Sequence, residues 1–186
     1  HDVMLFSDAG KAVRFAESDV RPMGRNARGV RGMMLEDGQQ VIAMLVAEDE
    51  TQTVLTATEN GFGKRTEISE YTRHGRGTKG MIAIQTSERN GKVVAATLVR
   101  ENDEIMMLTQ KGKIVRTAVK DIRVLKRATQ GVTLIALKED SLAAVSRIAE
   151  EDMDESPKSE GLLQESFSLE MTDAPMSKNT EEPSAE

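Results

Sequence analysis

The sequence predicts an all-β protein, a propeller-like array of four-stranded blades, and three observations carry that reading. Glycines and arginines recur every 51 residues: Gly10, Gly61 and Gly112, and Arg14, Arg65 and Arg116. Two short apolar runs flank the glycine in each copy. A basic, glycine-rich loop then follows. Four strands in about 50 residues at constant period is the mark of radially arranged blades. A lone four-stranded sheet exposes two apolar faces, and neighbouring blades create the core by covering them.

The copies begin at Val3, Val54 and Ile105. Each opens with an apolar run, a turn (Asp8-Ala9-Gly10, Asn60-Gly61, Lys111-Gly112) and a second run, which reads as a β-hairpin with positive φ at the glycine. An acid and an apolar residue follow: Asp19-Val20, Glu70-Tyr71 and Asp121-Ile122. After the basic loop, third strands are expected over Val30–Leu35, Met81–Ile84 and Val132–Leu137. Fourth strands at Val41–Val46, Val93–Val99 and Leu142–Ile148 complete each copy. This fragment thus holds about three blades, and because propellers close with about four or more, it reads as part of a longer protein.

The array is expected to occupy residues 1–149 and to give way to an acidic, disordered tail over 150–186, where three of the four prolines lie. Charge divides at the same place. The net charge is −6, yet residues 1–148 hold 23 Lys and Arg against 19 Asp and Glu, while residues 149–186 hold 2 against 12. A mildly basic body with an acidic tail points to a polyanionic partner, and to a tail that competes with it through Glu150, Glu151, Asp152, Asp154 and Glu155. The chain has no cysteine, which excludes disulfides and thiolate metal sites. No apolar run approaches the ~18 residues that suggest a membrane-spanning helix.

The basic loops are in register. Arg25, Arg76 and Arg127 are 51 residues apart, as are Gly29, Gly80 and Gly131. The segments GRNARGVRG (24–32), LTATENGFGKRT (55–66), RHGRGTKG (73–80) and RATQGVTLI (127–135) resemble the C-terminal domain of the DNA gyrase A protein, and the likeness covers residues 1–148. It implies a β-pinwheel, a propeller with unusual blade connections, of which this segment is the last three blades. It further implies a non-catalytic module that wraps double-stranded DNA around its rim. The rest of the gyrase A protein and the gyrase B protein would be its partners in an A2B2 enzyme of the bacterial cytoplasm, associated with the nucleoid. That enzyme, a DNA topoisomerase, supercoils DNA with ATP and Mg bound elsewhere, leaving no cofactor in this segment. Two alternatives stay open: the equivalent domain of topoisomerase IV, and a propeller scaffold that binds protein.

Wrapping a duplex without reading its sequence requires cations along a curved surface, since neutralised phosphates release counterions. Arg25, Arg28, Arg31, Arg73, Arg76, Lys79, Lys126 and Arg127 are the first candidates, against the plain reading of solvated loop charge. Arg14, Arg65 and Arg116 are divided between DNA contact and an ion pair with Asp19, Glu70 and Asp121 of their own copies. Lys64, Lys11 and Lys113 stand beside them on the hairpin and extend the basic rim. Tyr71 aligns with Val20 and Ile122, so it is a packing position, and the resemblance places the DNA-cleaving tyrosine outside this chain. His74 has no second ligand at a metal spacing. No catalytic or metal-binding set is recognisable.

Overall fold

The computed structural model describes residues 1–150, and the expectations for the acidic tail beyond Glu150 lie outside that span. Eleven strands run in chain order: β1 (Asp2–Ser7), β2 (Lys11–Ala16), β3 (Val41–Ala47), β4 (Thr53–Thr58), β5 (Phe62–Glu67), β6 (Met81–Ile82), β7 (Val93–Val99), β8 (Glu104–Thr109), β9 (Ile114–Ala118), β10 (Val132–Thr133) and β11 (Leu142–Ile148). Single 3-10 turns at Glu17–Asp19, Ile68–Glu70 and Val119–Asp121 follow the hairpins.

The hairpins form as the glycines require. Gly10, Gly61 and Gly112 donate to the carbonyls of Ser7, Thr58 and Thr109 at 3.0–3.1 Å, with φ of 76°, 82° and 83°. The antiparallel register repeats as well, pairing Leu5 with Val13, Thr56 with Lys64 and Met107 with Val115.

One expectation is corrected. The third runs of the second and third copies do not complete their own sheets but those of the copy before them. The sheets are ordered β3-β1-β2-β6, β10-β5-β4-β7 and β11-β8-β9. Thus Met81 and Ile82 pair with Ala12 and Lys11, and Val132 and Thr133 pair with Gly63 and Phe62. These exchanged strands are only two residues long, shorter than the runs 81–84 and 132–137 suggested. Over residues 30–35 the sole ladder contact is the parallel bridge between Met33 and Thr78. No described residue adds a fourth strand to the last sheet.

The apolar cores lie between sheets. Met4, Phe6, Ala12 and Ala47 of the first sheet pack against Val54, Ile68, Tyr71 and Ala96 of the second copy. Leu55, Ala57 and Val99, from the opposite face of the second sheet, meet Ile105, Met107, Val119, Ile122 and Leu142. Alternate residues of β4 thus enter different cores, as strand geometry dictates. Each fully buried Val, Leu, Ile or Met side chain here contributes about 1.5–3 kcal/mol. Tyr71 is fully buried, edge-on to Phe6 at 5.8 Å, and its phenol is pushed above its ordinary range mainly by burial. Among the described residues, no helix is long and apolar enough to cross a membrane.

Candidate nucleic-acid interface

Strand exchange places the second and third basic loops against the copy before each. His74 N donates to Arg14 O at 2.8 Å, and Leu125 N, one period later, to Arg65 O at 2.8 Å. Met34 N donates to Thr78 O and Gln85 N to Thr129 O, both at 2.9 Å. Ala83 N reaches Gly10 O, and Leu134 N reaches Gly61 O, again both at 2.8 Å. The same bonds one period apart mean that the second loop sits on the first copy as the third loop sits on the second.

The arginines in register take part in the joint. Arg76 donates from Nη1 to Arg31 O at 3.2 Å and from Nε to Asp19 O at 3.1 Å. Arg127 Nη1 donates to Ile82 O at 2.7 Å, and Ile82 is the counterpart of Arg31. Both arginines bind carbonyls of the preceding copy, not carboxylates. Arg25, Arg28, Arg31, Arg76 and Lys79 are exposed, and Arg127 is half-buried. None of these six forms an ion pair among the described residues. Lys126 is exposed and pairs with Glu70, and Arg73 pairs with the buried Asp2 at 2.7 Å.

The hairpin cations differ from expectation. Arg14 donates to Asp2 at 2.6 Å, to Glu50 at 3.3 Å, and to the carbonyls of Ile68 and Tyr71. Arg65 is 4% exposed and donates to Glu101 at 2.6 Å and Ile122 O at 2.7 Å. Arg116 is exposed and pairs with Glu104. The acids are therefore Asp2, Glu50, Glu101 and Glu104, in place of Asp19, Glu70 and Asp121. Asp19, Glu70 and Asp121 follow the hairpin in chain order, but the guanidinium groups turn to acids on the partner strand of the same hairpin, Asp2 and Glu104, or in the turn before the next copy, Glu50 and Glu101. Burial removes Arg65 from any outer surface, and the largely buried Arg14 is committed to Asp2, to two backbone carbonyls and to the exposed Glu50. Lys64 does not extend the rim either. It is fully buried, with Nζ donating to Lys126 O at 2.6 Å and to Arg127 O.

Asp2 sits between Arg14 and Arg73. Burial alone would raise its pKa, but the hydrogen bonds and charge of the two arginines hold it below the ordinary carboxylate range. His74 is exposed, and no group of three or more His, Asp or Glu among the described residues is placed to hold a metal. Sequence reasoning missed the inward clamps Asp2 and Lys64. One signal existed for Lys64: a lysine standing where the other two copies have Val13 and Val115.

A strand-exchanged propeller with one exposed cationic loop per copy is the class of protein that the fold and this edge define. The chain matches the model of the family described as "DNA gyrase C-terminal domain, beta-propeller" over residues 1–48, 52–100 and 103–149, one match for each copy, and it belongs to that family. It is 50% identical to the DNA gyrase A protein of Pseudomonas aeruginosa over 97% of its length, and 49% identical to that of Escherichia coli K12 over 82%. It spans about a fifth of those relatives, 20% and 18% respectively. Among solved structures, a DNA gyrase A C-terminal domain superposes with a TM-score of 0.73 at 31% identity, covering 80% of this chain and 50% of that one. The C-terminal domain of DNA topoisomerase IV superposes at 0.77 with 25% identity, covering 81% and 47%.

Proposed function

We propose that this segment is a DNA-binding and DNA-wrapping part of a gyrase A protein, and that duplex DNA follows its basic loops from copy to copy. The observation that carries the reading is the repeated joint. Successive loops are held by equivalent hydrogen bonds, so their cations recur along the array at intervals set by the fold. Arg25, Arg28 and Arg31, then Arg76 and Lys79, then Lys126 and Arg127 are the phosphate contacts, with Arg73 and Arg116 beside them. Arg14, Lys64 and Arg65 support these loops from within.

Bending duplex DNA, with a persistence length of about 150 bp, costs on the order of several kcal/mol over a short site. Regularly spaced phosphate contacts offset that cost without reading bases. In this reading the segment contributes geometry and no bond chemistry. ATP, magnesium, the cleaving tyrosine and the gyrase B protein act elsewhere in a bacterial A2B2 enzyme that introduces negative supercoils.

The test is topological. Relaxed nicked circles are sealed by ligase in the presence of the complete C-terminal domain and then deproteinised. Wrapping leaves a shifted linking number, and an unchanged distribution counts against it. The scaffold alternative expects binding that survives salt and loss of these cations.

A further inference from the structure

Lys64 differs from its counterparts in the other two copies. It is fully buried on β5, where Val13 and Val115 occupy the same register. A buried ammonium group is costly unless it is paired or well hydrogen-bonded. Among the described residues no carboxylate forms an ion pair with it. Its Nζ instead donates to two consecutive carbonyls of the third basic loop, Lys126 O at 2.6 Å and Arg127 O. Thr129 Oγ1 donates to the same Lys126 O at 3.0 Å. Burial, aided by Arg127 and opposed by Glu70, brings the amine down to about 8, so it still carries its charge at neutral pH.

The first joint is built differently. There Val13 leaves a hollow of about 290 Å³, bordered also by Arg14, His74 and Lys79. The loop above it is held from outside by Arg73 on Asp2. In the second joint both halves of that outer clamp are gone. Thr53 stands at the position of Asp2 and Val124 at that of Arg73. Where the Asp2–Arg73 clamp is missing, the inner lysine is present, and the one outer ion pair described there is the exposed Lys126–Glu70 contact.

We propose that Lys64 is a positioning residue for the third basic loop, replacing from beneath the Asp2–Arg73 clamp and fixing the backbone from which Lys126 and Arg127 reach a ligand. The assignment rests on the DNA-binding reading for its consequence, though not for its geometry. The ammonium group is satisfied only where the two carbonyls converge, so it selects one loop conformation more than it adds stability.

The experiment uses the full-length gyrase A protein with Lys64→Val, Lys64→Met, and Lys64→Val combined with Thr53→Asp and Val124→Arg. The probe is a labelled linear duplex of mixed sequence. At about 0.15 M salt the single variants are expected to bind about fivefold more weakly for every phosphate that is no longer neutralised, with a salt slope smaller by about 0.9 per phosphate. Without DNA, exchange of the Thr129 and Gln85 amides should quicken about tenfold. The transplanted clamp should restore slow exchange, an outcome that simple core filling at position 64 does not give. Adding Thr53→Asp and Val124→Arg to the wild type shows how much the guanidinium introduced at position 124 adds to affinity by itself.

Unchanged exchange in a folded Lys64→Val or Lys64→Met variant overturns the proposal, and so does failure of the clamp to restore it. A wild-type protein that binds no duplex defeats the DNA reading alone, because the exchange measurement still tests Lys64.

Discussion

Arg65 donates to Glu101 at 2.6 Å from a buried position, while Glu101 itself is largely exposed. One period earlier Arg14 meets Glu50 at 3.3 Å in the same arrangement. The pair is therefore unequal. Arg65→Met also strips Ile122 O of its donor and is expected to cost about 2–3 kcal/mol, whereas Glu101→Gln is expected to cost about 1 kcal/mol or less. Urea denaturation of the two variants measures the difference.

Gly61 and Gly112 test the joint between copies. Both have φ near 80°, where any other residue costs roughly 1–2 kcal/mol. A Cβ on Gly61 would lie 2.3 Å from Ile135 O, while one on Gly112 would meet nothing within 4 Å. Gly112→Ala should cost only the backbone term. Gly61→Ala must also displace the segment at Ile135 that follows the exchanged strand, so its denaturation midpoint should fall clearly further.

Stability should depend on alkaline pH through Lys64. Its folded pKa of about 8 lies below the ordinary 10.5, so between those values the unfolded chain binds more protons and stability rises with pH. The gain should reach about 2 kcal/mol by pH 10. Above about pH 10 the buried Tyr71 works in the opposite sense, because its phenol is raised by burial and the unfolded chain ionises first. Denaturation midpoints across this range should rise in the wild type and lose that rise in Lys64→Met.

The acid limb belongs to Asp2 and Asp103. In both, burial pushes the pKa up and is outweighed, at Asp2 by Arg14 and Arg73, and at Asp103 by Arg147 with the amides of Arg100 and Glu150. Their folded values lie below the ordinary 3.8, so their stabilisation is complete above it and is lost as pH falls through the folded values. Asp2→Asn should flatten acid unfolding and release Arg73, and melting curves below pH 5 would show it.

Arg28 and Lys79 offer the cleanest test of phosphate contact, since neither side chain has a hydrogen-bond partner among the described residues. Substituting each by Gln should reduce the salt slope of duplex binding by about 0.9 and leave the melting temperature unchanged. Arg76 and Arg127 are poorer probes because they also hold the preceding copy.

The period, hairpins and basic loops were legible because each is a local pattern: Gly61 announces its turn from its own neighbours. Strand exchange was not. Met81-Ile82 makes the same apolar pair whichever sheet it joins, and only the packing of loop 73–80 on the first copy decides. The ion pairs failed for a similar reason. Asp19 and Asp2 both lie within reach of Arg14 by sequence, and spacing cannot say which one the fold turns toward the guanidinium. Lys64 looked like surface charge because hairpin lysines usually are. Its strand, though, is covered by the following loop, and all four residues from Gly63 to Thr66 are buried.

The matched clamps bear on how such a chain is inherited. A recombination that deleted the middle copy would seat residues 124–131 over Val13, leaving that junction with neither its lysine nor its arginine. A deletion that keeps the remaining junction clamped would have to carry a hairpin together with the loop roughly one period downstream. The heritable piece is longer than the visible repeat.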